Sequence, residues 1–248
     1  MIARQLSRFL ASAVTAMSGV SASVLASALP LASADACPDV QVVFARGTDD
    51  PPGLGPTGQA FVDSLRPRVG AGSFDVYPVN YPATHDWTSA GEAGVRDAGA
   101  HVVSFAHDCP NSKMVLGGYS QGAAVMGFVT SPAVPAGIDP ASVPKPLEPE
   151  VANHISSVVL FATPSEKAMN FFGEPPVVIG PLYQAKTIQV CAPGDPICSD
   201  GMNFVAHDTY STNAAMIDQG VAFAASRLGS SAGPGAPTTA VGFSGAAS

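Results

Sequence analysis

Charge is scarce in this 248-residue chain: 12% of its residues are Asp, Glu, Lys or Arg, with 11 basic against 19 acidic. A chain that stays disordered needs the opposite balance, whereas hydrophobic residues make up 46% here. At a net charge of −8, nothing is left to neutralise a phosphate backbone or an anionic membrane, which excludes nucleic acid as a partner. Only four cysteines occur. No His or Cys cluster at zinc spacing accompanies them, so no metal is expected. Internal repeats are lacking. Past residue 34 no run suggests a transmembrane segment. The length allows one large domain or two small ones, and an α/β domain uses most of it.

The amino terminus is the exception to this sparing use of apolar runs. Arg4 and Arg8 are followed by 26 uncharged residues, Phe9 to Ala34. The stretch ends at Ala32-Ser33-Ala34, a small-x-small site suited to signal peptidase. As a membrane anchor it is poor: Ser12, Thr15, Ser18, Gly19, Ser21, Ser23 and Ser27 dilute it, and Pro30 breaks it. Residues 1–34 are therefore expected to be a signal peptide, with Ala34-Asp35-Ala36 as a second cut. Removal takes two positive and no negative charges, moving the net charge from −8 to −10. The protein is expected to be secreted, with association to a cell envelope left open.

Export changes the meaning of Cys37, Cys109, Cys191 and Cys198, all in the mature part. An even number in an exported chain suggests disulfides, with three pairings available. Cys191 and Cys198 are close enough to close a small loop, which leaves Cys37 with Cys109. Loop-closure entropy gives roughly 2.5 kcal/mol for the small loop and about 4.4 for the large one.

Five short runs read as strands: 40–45, 74–79, 114–117, 157–161 and 187–190. They are apolar on both faces, as in a parallel sheet covered on both sides. Helical patterns separate them. Val95, Ala98, Val102 and Phe105 share a face; so do Tyr210, Ala214, Ile217, Val221, Ala224 and Leu228. The alternation predicts a doubly wound α/β sheet in one domain, 35–228. Residues 131–150, with six prolines, read as a surface excursion. Residues 163–186 are too apolar for an ordinary loop and suit either buried packing or a flap over a greasy site. Residues 229–248 have almost no core formers and read as a disordered tail.

Gly118-Tyr119-Ser120-Gln121-Gly122 matches G-x-S-x-G between a strand-like and a helix-like run. That context is the nucleophile elbow: the turn is tight, and its glycines remove Cβ atoms that would strike the backbone. It would lift the Ser120 hydroxyl to a helix N-terminus, where negative charge is favoured. A serine needs a base, and in this architecture the order is Ser, acid, His. Downstream lie His154, on the wrong side of a strand, and His207, at the start of the last helix. His85, His101 and His107 come too early, and His101 and His107 read as solvated. Asp195 is preferred as the acid because it lies between Cys191 and Cys198; Asp200 and Asp208 are its rivals. The oxyanion needs backbone donors. Gln121 follows the nucleophile, and a second donor is expected in Arg46-Gly47-Thr48. Arg46 itself reads as a structural ion-pair partner.

These pieces resemble the cutinase family of secreted serine esterases, and most of all the cutinase-like proteins of actinobacteria. The matching segments are Ala45-Arg46-Gly47-Thr48, the Gly118–Gly122 elbow, Cys191-Ala192-Pro193-Gly194-Asp195-Pro196-Ile197-Cys198, and His207 followed by Tyr210, in family order over 37–228. The resemblance implies a compact α/β-hydrolase three-layer sandwich with a central five-stranded parallel sheet and no full lid. It implies Ser120, Asp195 and His207 as catalytic triad, oxyanion donors at Thr48 and Gln121, and disulfides 37–109 and 191–198. Thr48 departs from the serine that family members often carry there, and segments 131–150 and 163–186 depart from the compact pattern. The expected activity is hydrolysis of short- to medium-chain fatty acyl esters through an acyl-enzyme, without cofactor. An acetylxylan-type esterase and a non-catalytic secreted binding protein or antigen are the alternatives. The expected partners are a lipid or polyester substrate and, transiently, a lipid surface, with the chain a monomer.

Overall fold

A computed structural model describes residues 37–70 and 72–229. The expected signal peptide, and all but the first residue of the expected tail, lie outside them. Among the described residues no helix is long and apolar enough to cross a membrane.

The five apolar runs become five parallel strands: β1 (Val40–Ala45), β2 (Phe74–Pro78), β3 (Lys113–Tyr119), β4 (Ile155–Phe161) and β5 (Thr187–Val190). Their spatial order is β2-β1-β3-β4-β5. Between and after them come α1 (Gly55–Leu65), α2 (Trp87–Asp108), α3 (Gln121–Val129), α4 (Glu166–Phe172), α5 (Pro181–Gln184), α6 (Phe204–His207) and α7 (Ala214–Leu228). Successive strand residues point to opposite faces. Val43, Ala45, Leu116, Val158 and Leu160 pack under α2 and α3, while Val42, Phe44, Val115, Val159 and Phe161 pack under α1 and α7. The result is a three-layer sandwich with a core on each side of the sheet.

Local departures from the expected elements have local causes. Strand β2 ends at Pro78 rather than Val79. Proline cannot donate to a ladder and is tolerated because β2 is an edge strand. Strand β4 begins two residues before the expected 157, at Ile155, because Ser156 separates Ile155 from the apolar run. The last helix starts at Ala214, capped by the Asn213 side chain, so Tyr210 lies in a separate turn, Tyr210–Thr212. His207 consequently ends α6 rather than opening the last helix. Its apparent continuity with the helical stripe came from Tyr210 falling in phase by chance.

Disulfides join Cys37 to Cys109 and Cys191 to Cys198. The first ties the chain before β1 to the end of α2. Segment 131–150 is a surface excursion fastened to α2, with Ser142 Oγ donating to Glu92 at 2.8 Å. Segment 163–186 is partly buried packing. Met169 and Tyr183 are buried, whereas Phe171 is 85% exposed and Phe172 stacks on Trp87 at 4.0 Å.

The chain goes from β1 to one neighbour, β2, and later returns to the other, β3. Loops leaving adjacent strands toward opposite faces open a crevice at their carboxyl ends, where ligands bind in open α/β sheets. The loops after β1 and β3 carry Thr48 and Ser120.

Candidate active site

Ser120 sits at the turn from β3 into α3 with φ of +53°, a region that L-residues avoid. The surrounding structure holds it there. Its N–H extends the ladder to Phe161 O at 2.9 Å. A Cβ on Gly118 would lie 2.3 Å from Gly122 O, and one on Gly122 would lie 2.0 Å from Ala45 O. Both glycines are therefore needed for close backbone approach.

Three side chains from distant stretches converge on this turn. His207 Nε2 lies 3.0 Å from Ser120 Oγ. On the other side of the ring, His207 Nδ1 lies 2.9 Å from Asp195 Oδ2. Asp195 is fully buried, and its Oδ1 accepts from Ile197 N at 2.9 Å. His207 retains 19% side-chain exposure, enough to meet a molecule arriving from solvent. The rivals differ: Asp200 is 98% exposed, 3.9 Å from Lys167, and Asp208 is exposed on the surface.

Burial pushes the Asp195 carboxyl up, but bonds from His207, the Ile197 N–H and Tyr210 outweigh it, and its pKa ends below the ordinary 3.8. It stays an anion, which a positively charged imidazole needs beside it. The helical stripe makes Tyr210 a core residue. It is fully buried, but its hydroxyl donates to Asp195 Oδ2 at 2.8 Å and accepts from Ala192 N at 2.7 Å.

Tyr210→Phe should destabilise the protein by about 1.5–3 kcal/mol, the range for a bond to a charged group, since it strips a partner from a buried carboxylate. The sign with pH follows from the depressed value. Asp195 stabilises the fold above its unfolded pKa, near 3.8, and this is lost as pH falls through the lower folded value. The deficit of Tyr210→Phe should thus be full at neutral pH and narrow below pH 3.8. Urea titrations at both ends of that range measure it; a deficit independent of pH would contradict it.

Two further residues escaped the sequence reading. Tyr119, the x before the serine, donates its hydroxyl to His207 O at 2.5 Å and packs its ring 5.3 Å from the imidazole. Nothing in the sequence signals this, because the bond crosses 88 positions. Asp50 accepts from Gly47 N at 2.8 Å, and so ties down the loop that carries Thr48. Its pKa is raised by burial despite the Gly47 N–H and the nearby charges of Arg46 and His207. An Asp shortly after Gly-Thr was its available signal, since Asp often bonds a neighbouring backbone N–H.

The register pairs Ala45 with Gly118, so Thr48 and Ser120 leave adjacent strands at one rim. Thr48 Oγ1 is buried with no partner among the described residues. Gln121 is almost fully buried and anchors its amide by donating to Thr84 O at 2.9 Å. Arg46 is structural, but not through an ion pair. It donates to the carbonyls of Asp50, Tyr81 and Pro82, at 3.0, 2.7 and 3.1 Å. His101 is not solvated either: it is half-buried, stacked on Tyr77 at 3.4 Å and 2.7 Å from Gln41 Oε1.

The chain is similar to known proteins in sequence and in fold. Probable carboxylesterase Culp5 of Mycobacterium tuberculosis is 55% identical over 169 residues, 68% of this chain and 95% of its own. Phospholipase Culp4 of the same organism is 42% identical over 221 residues, covering 89% and 92%. Among solved structures, a Trichoderma reesei cutinase bound to a phosphonate inhibitor superposes with a TM-score of 0.59 at 32% identity, covering 78% of each chain. An acetylxylan esterase does so at 0.63 and 25% identity, covering 78% of this chain and all of its own. The family model described as Cutinase matches residues 36–228. From the elbow, the parallel sheet and these matches together, the chain belongs to the cutinase family.

Proposed function

We propose that this cutinase-family chain, a serine carboxylic ester hydrolase, is secreted and works through an acyl-enzyme. The observation that carries the reading is the unbroken relay from Ser120 Oγ through the His207 ring to Asp195, at 3.0 and 2.9 Å. Ser120 Oγ attacks the ester carbonyl, and its proton passes to His207 Nε2. Asp195 holds the ring so that Nε2 faces the serine, and stabilises the imidazolium. The carbonyl oxygen becomes an anion that the N–H groups of Thr48 and Gln121 receive, with the free Thr48 hydroxyl as a third donor. The carbon–oxygen bond to the alcohol then breaks, and His207 returns the proton to the departing alkoxide. Water, deprotonated by the same imidazole, attacks the acyl-enzyme and restores Ser120.

Lipid-like esters are favoured by the rim. Phe204 and Val205, just before His207, are 64% and 71% exposed, with Met202 at 73%. Exposed apolar residues beside a polar relay suit a substrate presented at a lipid surface. Relatives named a carboxylesterase and a phospholipase support the same class. Two disulfides fit an oxidising compartment and so support secretion. All the site residues come from one chain, so a monomer suffices.

The test uses the mature, oxidised protein. A fluorophosphonate should label Ser120. Within a panel of p-nitrophenyl esters from acetyl to palmitoyl, short and medium chains should be turned over best. Failure to label would favour a non-catalytic binding protein, and activity confined to acetyl would favour an acetylxylan-type esterase.

A further inference from the structure

A second space adjoins Gln121, the residue after Ser120. It runs between α2 and α3, is roofed by segments 131–150 and 163–186, and holds about 780 Å³ of empty volume with its open mouth included. Ser120 does not line it, but its chain neighbour Gln121 does, together with Trp87 and Pro175 at the carboxyl rim of the sheet. Its walls are Val95, Val125, Phe128 and Leu147, and it ends near Gly99, where Pro144 closes in. Of the polar groups that line it, Glu92 accepts from Ser142 Oγ at 2.8 Å and Glu174 accepts from Thr88 Oγ1 at 2.5 Å, while Gln121 Oε1 is buried with no partner among the described residues. Gln121, whose N–H is the expected second oxyanion donor, is the one site residue among its lining, and most of the remaining lining is apolar.

We propose that this space holds the acyl chain of the substrate, an inference that rests on the ester-hydrolase reading. The direction follows from the chemistry. The leaving oxygen must face His207 Nε2 to receive its proton, so the alcohol side points toward His207. The carbonyl oxygen lies near the Gln121 N–H, and the acyl chain continues past Gln121 into the space. Length sets the chain class. At about 1.5 Å per residue, the lining stretch of α3 from Gln121 to Val129 spans about 12 Å, and that of α2 from Trp87 to Gly99 about 18 Å. An extended alkyl chain advances roughly 1.3 Å per carbon, given C–C bonds of about 1.5 Å. The space therefore takes chains of up to about 9 to 14 carbons, nonanoyl to myristoyl, which sets the upper end of the range of chains accepted. The two segments that depart from the compact family pattern are the ones that roof it.

Gly91 provides the test. It lines the space, and a Cβ there would meet no atom within 4 Å. Leucine is also the better helix former, so Gly91→Leu fills the space without breaking α2. Each buried methylene is worth roughly a fourfold factor, so Gly91→Leu should lower the dodecanoate-to-butanoate ratio of kcat/KM about tenfold or more. Trp87 is the only tryptophan of the chain, so its emission reports occupancy directly. In Ser120→Ala protein, sodium dodecanoate should change that emission saturably, and adding Gly91→Leu should weaken the binding about tenfold or more. An absent saturable change, or a ratio in Gly91→Leu within about twofold of the parent, overturns the acyl site. The two readings fail separately. Should no ester be hydrolysed while dodecanoate still saturates Trp87, hydrolysis falls and the chain site stands. Ester turnover with an unaltered ratio leaves hydrolysis and removes the site.

Discussion

Ser120→Ala is expected to lower kcat on p-nitrophenyl butyrate by a factor on the order of 10⁶, the loss that removing the nucleophile causes when a triad acts as a unit. The relay then has no atom to activate: His207 Nε2 faces a methyl group where an oxygen stood 3.0 Å away. Folding should be retained. The positive φ at this position disfavours alanine about as much as serine, and the glycines that permit the turn are untouched. Residual turnover should come from the oxyanion donors and substrate positioning alone. A folded Ser120→Ala protein that keeps more than about one percent of parent turnover would exclude Ser120 as the nucleophile.

Asp195→Asn carries the second-largest expected loss, about 10⁴ in kcat. Both carboxylate oxygens meet donors: His207 Nδ1 and the Tyr210 hydroxyl at Oδ2, the Ile197 N–H at Oδ1. An asparagine must turn its NH₂ toward one set. If it faces His207, the ring responds by accepting at Nδ1. Its proton then sits on Nε2, pointing at Ser120, and the imidazole no longer takes the serine proton. If it faces Ile197, a donor meets a donor in a buried site, which costs about 1–3 kcal/mol. Asp200→Asn and Asp208→Asn serve as controls, because both carboxylates are exposed and neither touches His207. Their kcat should stay within about threefold of the parent, the scale on which a screened surface charge acts. Equal losses in all three variants would remove Asp195 from its proposed role.

The disulfide bears on the same carboxylate. Cys191 and Cys198 close a loop around Asp195, and the Ile197 N–H that bonds its Oδ1 lies inside that loop. The expected contribution of so small a loop, about 2.5 kcal/mol, acts on the unfolded chain. In the fold the bridge also limits where Asp195 can go, while the Tyr210 hydroxyl pins its Oδ2. Two constraints of different kind thus hold one acid.

Strands β1 and β5 were legible to the residue, because each is rich in β-branched residues and follows a charged one, Asp39 before β1 and Lys186 before β5. The edges of the other strands were less so. Serines in β4 and a proline in edge strand β2 weaken the local pattern, yet ladder bonds and burial override it. Helices α4 and α5 were not legible, since each is short and its burial depends on what it meets. Phe172 is held by stacking on Trp87, and Met169 is buried without any repeat to announce it.

By itself the sequence determined the alternation of strand and helix, the elbow around Ser120, and the order in which serine, acid and histidine occur. Those are properties of neighbours: apolar period, glycine spacing, chain order. Only the tertiary structure decided that His207 Nε2 faces Ser120, that Tyr210 serves Asp195 rather than a helix stripe, that Tyr119 and Asp50 brace the site, and that two outlying segments roof a space beside Gln121. Each of these joins residues through packing on the sheet. Hydrogen-bond geometry and enclosed volume are set by which faces meet, and a linear pattern of residue types carries no record of that meeting.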